Sequence, residues 1–181
     1  MNLIDHLKGR IAEALVESIF REHGYRVSRL GRESDVQRLM SVGKGEFLPD
    51  LLAWKARAKT LGLHQVLNIE VKYCANLGEY LRRFWPDDFD RARERWPYLY
   101  FVLVTDRPHA GLSCFQTVWL GNYVAGSVPM TTDLHAIREF GICRSTVAKH
   151  EAMARDLFAT LRERMPPRRV VGKVVGVRLR A

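Results

Sequence analysis

The chain opens with an amphipathic segment. Apolar residues recur at helical spacing over residues 5–23, from Ile11 to Phe20, and polar residues fill the positions between them. This spacing predicts a helix with one buried face. Gly24 follows directly, and a glycine at this position is typical of a residue that ends a helix.

Short apolar runs rich in β-branched and aromatic residues follow the helix. They predict five strands, at 25–30, 48–54, 66–74, 98–106 and 113–121. The run at 98–106 is almost wholly apolar, which predicts a central strand buried on both faces. Residues 31–46 are polar and contain three glycines, and residues 55–65 are basic, so we expect a loop in the first segment and a connecting turn in the second.

Helical patterns dominate the rest of the chain. Residues 77–96 are predicted to be helical in part, with Pro86 breaking or starting a helix. A short helix is predicted over 131–140 and a longer one over 145–165, with Ser145 as its N-cap. The order of elements predicts an α/β fold in which helices flank a central mixed β-sheet. We expect a core over residues 1–125 and, packed on it, a helical extension with a basic tail over 126–181.

The amino-acid composition limits which classes of protein the chain can belong to. Of the 181 residues 47% are apolar, enough for a core, and no run approaches the roughly 18 apolar residues of a membrane helix. The N-terminus lacks a signal-peptide pattern, so we expect a soluble cytoplasmic protein with no membrane partner. Three widely spaced cysteines predict neither a disulfide framework nor a zinc site, and are expected in the core. The net charge of +9 favours a polyanionic partner such as nucleic acid.

Three charged residues interrupt the apolar runs. Asp50 lies in the run at 48–54, and Glu70 and Lys72 lie in the run at 66–74. Side chains two apart in a strand share a face, so Glu70 and Lys72 point the same way, and Asp50 can meet Glu70 if the two strands pair. Two adjacent carboxylates favour a proton or a hard divalent cation such as Mg²⁺. Beside them, the Lys72 ammonium can orient or activate a water, or offset charge that develops on a phosphoryl group.

This pattern resembles the PD-(D/E)xK nuclease superfamily. The matching residues are Pro49-Asp50 and Glu70-Val71-Lys72, with a helix before them and a buried strand after them. The resemblance implies a restriction-endonuclease-like core and a Mg²⁺-dependent endonuclease in which Mn²⁺ substitutes for Mg²⁺. It also implies one or two ions held by Glu13, Asp50 and Glu70, with the Val71 carbonyl as a further ligand.

The third acid is expected on the first helix, where two glutamates compete. Residues 8–27 have the G-x-x-A-E…G-Y form of many of these nucleases. On a helical wheel Glu13 lies at the border of the apolar sector and Glu17 lies further towards solvent. Glu13 is therefore the predicted ligand.

Within the superfamily, residues 8–106 most resemble the archaeal-type Holliday junction resolvases. The strand Gly24-Tyr25-Arg26-Val27-Ser28-Arg29 and a basic loop with Ser34 or Ser41, of which we favour Ser34, match that pattern. The resemblance implies a homodimer that binds branched DNA independently of sequence. The expected DNA-binding residues are Arg10, Arg29, Arg32, Ser34, Arg38 and Lys44. Another endonuclease of the same fold, of restriction or repair type, and a non-catalytic DNA-binding module remain as alternatives, because the chain departs from the family beyond residue 106.

Overall fold

The computed structural model describes residues 3–30, 47–56, 64–83 and 85–164, with the side chains of 83, 85–88 and 164 excepted. Within these ranges the chain forms four α-helices and six strands. The helices are α1 (Leu3–Glu22), α2 (Leu77–Arg83), α3 (Trp85–Arg95) and α4 (Arg144–Arg164). The strands are β1 (Arg26–Arg29), β2 (Leu51–Ala56), β3 (His64–Tyr73), β4 (Tyr100–Val104), β5 (Phe115–Trp119) and β6 (Thr132–Asp133).

The six strands form one mixed sheet in the order β1-β2-β3-β4-β5-β6. All neighbours are antiparallel except β3 and β4, which run parallel and are joined by a crossover through α2 and α3. A parallel pair requires such a crossover, whereas antiparallel neighbours can be joined by short connections. The expectation of a central mixed sheet flanked by helices is confirmed.

Each face of the sheet carries its own apolar cluster. On one face α1 and α4 pack against inward-pointing residues of the strands, with Val16, Ile19 and Phe20 of α1 fully buried. On the other face Phe89 of α3 packs against Phe101 of β4. Strand β4 contributes to both clusters, which confirms the prediction of a central strand buried on both faces.

The C-terminal helix belongs to the same packed unit as α1. Val147, Ala154 and Phe158 of α4 are buried in the cluster that contains the inner face of α1. Residues up to 164 therefore share one apolar core with the first half of the chain. The basic tail lies outside the described residues, as does the predicted loop at 31–46. No α-helix in the described ranges is long and apolar enough to cross a membrane.

Three predicted elements differ from the structure. Residues 131–140 were expected to form a helix, but they form strand β6 and two 3₁₀ turns, Leu134–Ala136 and Arg138–Phe140. Helix α4 begins at Arg144, so Cys143 precedes it and Ser145 is not the N-cap. Strand β2 begins at Leu51, which leaves Asp50 one residue before the strand rather than within it.

Candidate active site

The register of β2 and β3 brings Asp50 and Glu70 together. Leu51 lies opposite Ile69, so the antiparallel register continued by one residue places Asp50 beside Glu70. The Asp50 backbone N–H donates a hydrogen bond of 3.2 Å to Glu70 Oε2, and the Val71 N–H donates one of 2.8 Å to Asp50 Oδ2. Each carboxylate is thus oriented by a backbone N–H group of the neighbouring segment.

Lys72 completes the arrangement that the strand alternation predicts. Its Nζ lies 2.6 Å from Glu70 Oε1. The Glu70 side chain is only 5% exposed, whereas that of Lys72 is 36% exposed. The ammonium therefore pairs with the buried carboxylate and remains accessible to a ligand from solvent.

The surroundings of the two carboxylates disfavour their negative charges. Burial, and next the neighbouring Asp50 carboxylate, raise the pKa of Glu70 to about 8 in spite of Lys72. Burial also raises the pKa of Asp50, although the hydrogen bond from Val71 opposes the change. Carboxyl groups with raised pKa values are predisposed to bind either a proton or a cation.

Glu13 and Glu17 differ in their partners and hardly in their solvent exposure. Their side chains are 16% and 15% exposed, so exposure alone does not distinguish the two glutamates. Glu17 binds Arg21 at 2.8 Å and Arg29 at 2.7 Å, and although burial opposes the change these hydrogen bonds lower its pKa. Burial, and next the Asp50 charge, raise the pKa of Glu13. Of the two glutamates, Glu13 is therefore the one whose pKa is raised by the Asp50 carboxylate.

Glu13, Asp50 and Glu70 do not form a three-ligand metal site in this structure. Its carboxylate lies 2.8 Å from Arg10 Nη1. Across the described ranges, no three His, Cys, Asp or Glu side chains are grouped closely enough to hold a metal ion. Asp50 and Glu70 do fit a single hard cation, because Mg²⁺ is commonly held by one or two carboxylates with water and substrate oxygens completing its shell. The Val71 carbonyl remains a predicted ligand.

The predicted DNA-binding residues divide into two groups. Arg10 and Arg29 lie on the described part of the chain, and their guanidinium groups bind Glu13 and Glu17 respectively. Both arginine side chains are about half exposed, at 54% and 43%. The remaining four fall outside the described residues: Arg32, Ser34, Arg38 and Lys44.

One buried charged group on the face of the sheet that α1 covers was missed at the sequence level. Lys8 of α1 is 7% exposed and contacts Tyr73, which directly follows Lys72. The signal was present in the helical pattern, because Lys8 shares the spacing of Ala12, Leu15 and Ile19 and so lies on the buried face of α1. A lysine on such a face is uncommon.

Comparisons with known proteins add no relative. No protein-family model matches the chain, no curated protein matches it, and no solved structure matches it. The residues and geometry of the chain itself, together with the motif resemblance, are therefore the grounds on which a function can be inferred.

Proposed function

We propose that this protein is a metal-dependent endonuclease that hydrolyses phosphodiester bonds in DNA, with four-way junctions as its substrate. The observation that carries the proposal is the Asp50–Glu70–Lys72 arrangement, in which two adjoining carboxylates of raised pKa lie beside an accessible ammonium. Buried like charges destabilise a fold unless a partner compensates them, and a bound cation would be such a partner.

The metal would be held by Asp50 and Glu70, with Glu13 available if Arg10 releases it. When bound, a divalent cation supplies Lewis-acid activation of a phosphoryl oxygen and lowers the pKa of a coordinated water. The chain's own residues supply the positioning. The Val71 and Asp50 N–H groups fix the two carboxylates, and Lys72 orients the attacking water or neutralises charge on the phosphoryl oxygens.

DNA is favoured as the substrate class by charge. The chain combines a net charge of +9 with a buried acid pair, a combination that suits a polyanion carrying divalent cations. The preference for four-way junctions comes from the resemblance of residues 8–106 to the archaeal-type resolvases. A two-fold symmetric dimer would present two sites to the two strands of such a junction.

The test is a cleavage assay with matched substrates. A labelled four-way junction, a linear duplex, a flap and single strands of shared sequence are incubated with the protein in EDTA, Mg²⁺ or Mn²⁺. We expect paired incisions of the junction that require a metal. Equal cutting of the linear duplex would instead identify an endonuclease of restriction or repair type, and no cutting of any substrate with either metal would refute the nuclease.

Substitutions at Asp50 and Glu13 test whether these residues take part in DNA cleavage. Asp50→Asn is expected to lower cleavage by at least about a hundredfold, because it removes a metal ligand and a charge. Glu13→Gln tests the third acid, and Glu17→Gln is its matched control on the same helix. Full activity of the Asp50 variant would refute the proposed site even if the enzyme cuts DNA.

A further inference from the structure

Glu70 and Lys72 lie on the face of the sheet that α1 does not cover. Glu70 of β3 lies beside Phe101 of β4 in the parallel register, and Lys72, two residues later, shares its face. Phe101 packs against Phe89 of α3 in the apolar cluster on that side. The carboxylate of Glu70 and the ammonium of Lys72 are therefore on the α3 side of the sheet, opposite α1.

This side of the sheet continues from the acid pair across β3, β2 and β1. Asn68 and Val66 are two and four residues before Glu70, so they share its face, as do their cross-strand partners in β2 and β1. Successive rows of side chains are about 7 Å apart along the strands. The register gives two rows, which together we call the open face: Ser28, Leu52 and Asn68 beside the acid pair, then Arg26, Trp54 and Val66.

The open face is accessible to solvent. Val66 is 57% exposed and Arg26 is exposed, whereas Val27 and Leu67, which point to the α1 side of the same strands, are buried. The other four side chains of the open face are half-buried. Among the described residues, the apolar cluster under α2 and α3 includes members of β4 and β5 and none of β1 or β2. One part of the sheet beside the acid pair therefore has no helix of the described ranges packed on it.

The open face combines an aromatic ring and apolar side chains with hydrogen-bonding groups and a positive charge. Trp54 contributes an indole ring, Arg26 a guanidinium group and Asn68 a side-chain amide. Within the part of the chain that the structure describes, these three side chains make no hydrogen bond or ion pair. None of the six positions is an acid. A ligand that fits this surface carries flat rings, hydrogen-bonding edges and negative charge, as an unpaired nucleic-acid strand does.

The apolar area favours an unpaired strand over a duplex. The outside of a duplex presents mainly phosphates and sugars, against which Leu52, Trp54 and Val66 would bury little apolar surface. The bases of an unpaired strand can instead stack on an aromatic side chain while their phosphates pair with arginine. A second copy of the chain could also cover the apolar area, but a two-fold interface would bring two Arg26 guanidinium groups into one contact.

We infer that the open face binds an unpaired stretch of the DNA strand that is cut at the acid pair. The inference rests on the proposed function, because the acid pair defines where the strand is cut. Trp54 stacks on a base, Arg26 pairs with a backbone phosphate, and Asn68 hydrogen-bonds to a nucleotide next to the cut. The substrate is thereby narrowed to DNA with unpaired nucleotides beside the cut, such as a flap or a four-way junction opened at its exchange point.

The test measures DNA binding without catalysis. Equilibrium affinities for a labelled single strand, a duplex of the same sequence and a four-way junction are determined by fluorescence anisotropy in EDTA over a series of salt concentrations. The open-face variants are Trp54→Leu, Arg26→Gln and Val66→Glu. Trp54→Phe is the conservative variant that keeps an aromatic ring. Val128→Glu is the matched control for Val66→Glu, because Val128 lies between β5 and β6 and is 65% exposed.

The wild-type protein is expected to bind the single strand more tightly than the duplex. Trp54→Leu should weaken single-strand binding by about fivefold to a hundredfold, and Trp54→Phe should retain most of it, because stacking requires a ring. Arg26→Gln should weaken binding by about threefold to tenfold and reduce the salt dependence by about one phosphate contact. Val66→Glu should weaken binding through repulsion of the phosphates, and Val128→Glu should leave it unchanged.

Two results would assign the open face to something other than an unpaired strand. Tighter binding of the duplex, with Trp54→Leu and Val66→Glu behaving like the wild type on the single strand, refutes the inference. Light scattering after size-exclusion chromatography tests a second copy as the occupant. A wild-type dimer that Val66→Glu converts to monomers, with single-strand affinity unchanged, would identify a protein interface and also refute the inference. If Trp54→Leu does not fold, Val66→Glu and Arg26→Gln decide the matter.

The outcomes separate the open face from the proposed function. If the wild-type protein cuts DNA while the open-face variants bind the single strand as tightly as Val128→Glu does, the strand-binding face is refuted and the nuclease remains. If single-strand binding depends on Trp54 and Arg26 but no metal supports cleavage, the strand-binding face remains and the nuclease is refuted. A wild-type protein that binds no single strand refutes the inference directly.

Discussion

The burial of the Glu70 carboxylate predicts how the stability of the metal-free protein depends on pH. Burial and Asp50 raise the pKa of this group from 4.5 to about 8 on folding. The unfolded chain then releases its proton at a lower pH than the folded protein does. The stabilising contribution is fully present below about pH 4.5 and is lost as the pH rises towards 8. Glu70→Gln removes this titration, so the variant should gain stability relative to the wild type as the pH rises.

The size of the effect follows from the two pKa values. At pH 7 the difference between folded and unfolded carboxyl groups corresponds to a cost of up to about 3 kcal/mol in the wild type. The variant also loses the 2.6 Å ion pair with Lys72, which offsets part of the gain. We expect a net gain of about 1–2 kcal/mol at pH 8 and none at pH 4.5.

The assay is denaturant unfolding in EDTA at pH 5 and pH 8, followed by circular dichroism, for both proteins. Glu17→Gln is the matched control, because hydrogen bonds to Arg29 and Arg21 lower the Glu17 pKa. Its loss should destabilise the protein above about pH 4.5, by under about 1 kcal/mol, and the difference should vanish in acid. Mg²⁺ should stabilise the wild type and not Glu70→Gln. A Glu70→Gln protein that is less stable than the wild type at pH 8 by as much as at pH 5 would refute the reasoning.

Three further predictions concern catalysis, thiol reactivity and packing. Lys72→Ala should lower cleavage by about a hundredfold to a thousandfold while DNA binding in EDTA changes little, and unaltered cleavage rates would exclude Lys72 from the chemistry. Hydrogen bonds from Ser145 and Thr146 at the start of α4 lower the pKa of the exposed Cys143 thiol to about 6. The rate of alkylation of Cys143, measured by mass spectrometry, should therefore rise with pH around a midpoint near 6. The two buried cysteines should react much more slowly. Phe89→Ala removes a fully buried ring and should lower the free energy of unfolding by about 3–5 kcal/mol, whereas Tyr98→Ala, at a residue 72% exposed, should cost under about 0.5 kcal/mol in the same denaturation assay.

The sequence predicted the grouping of Asp50, Glu70 and Lys72 because side chains alternate between the two faces of a strand. In β3, Ile69 and Val71 are buried in the core on one face, and the intervening Glu70 contacts Asp50 and Lys72. Side-chain alternation has a period of two residues in any strand, so this placement needed only the identification of the strand. The pairing with Asp50 then follows from an antiparallel connection between neighbours in sequence.

The segment 131–140 shows where local patterns were insufficient. Its apolar spacing is compatible with a helix, yet Asp133 pairs with Gln116 in the sheet and its Oδ1 accepts hydrogen bonds from the Ser113 N–H and the Gln116 side chain. Phe140 packs fully buried beside Phe20 of α1. These contacts join residues far apart in sequence, and tertiary contacts of this kind override weak helical preferences.

The choice between Glu13 and Glu17 was made on direction around the helix, and solvent exposure does not distinguish them. A helical wheel ranks positions by direction only, and here the two side chains are almost equally exposed. What distinguishes them is that Arg21 and Arg29 neutralise Glu17, and Arg29 comes from β1. Partners contributed by another element cannot be read from the periodicity of one helix.

The acid pair has an energetic property that separates a role in binding from a structural role. Asp50 and Glu70 are adjoining buried acids, so the free protein compensates their negative charge incompletely. A structural role predicts that substitution of Glu70 by an uncharged side chain destabilises the fold. A role in binding predicts that Glu70→Gln stabilises the free protein at pH 8 and abolishes the stabilisation by Mg²⁺.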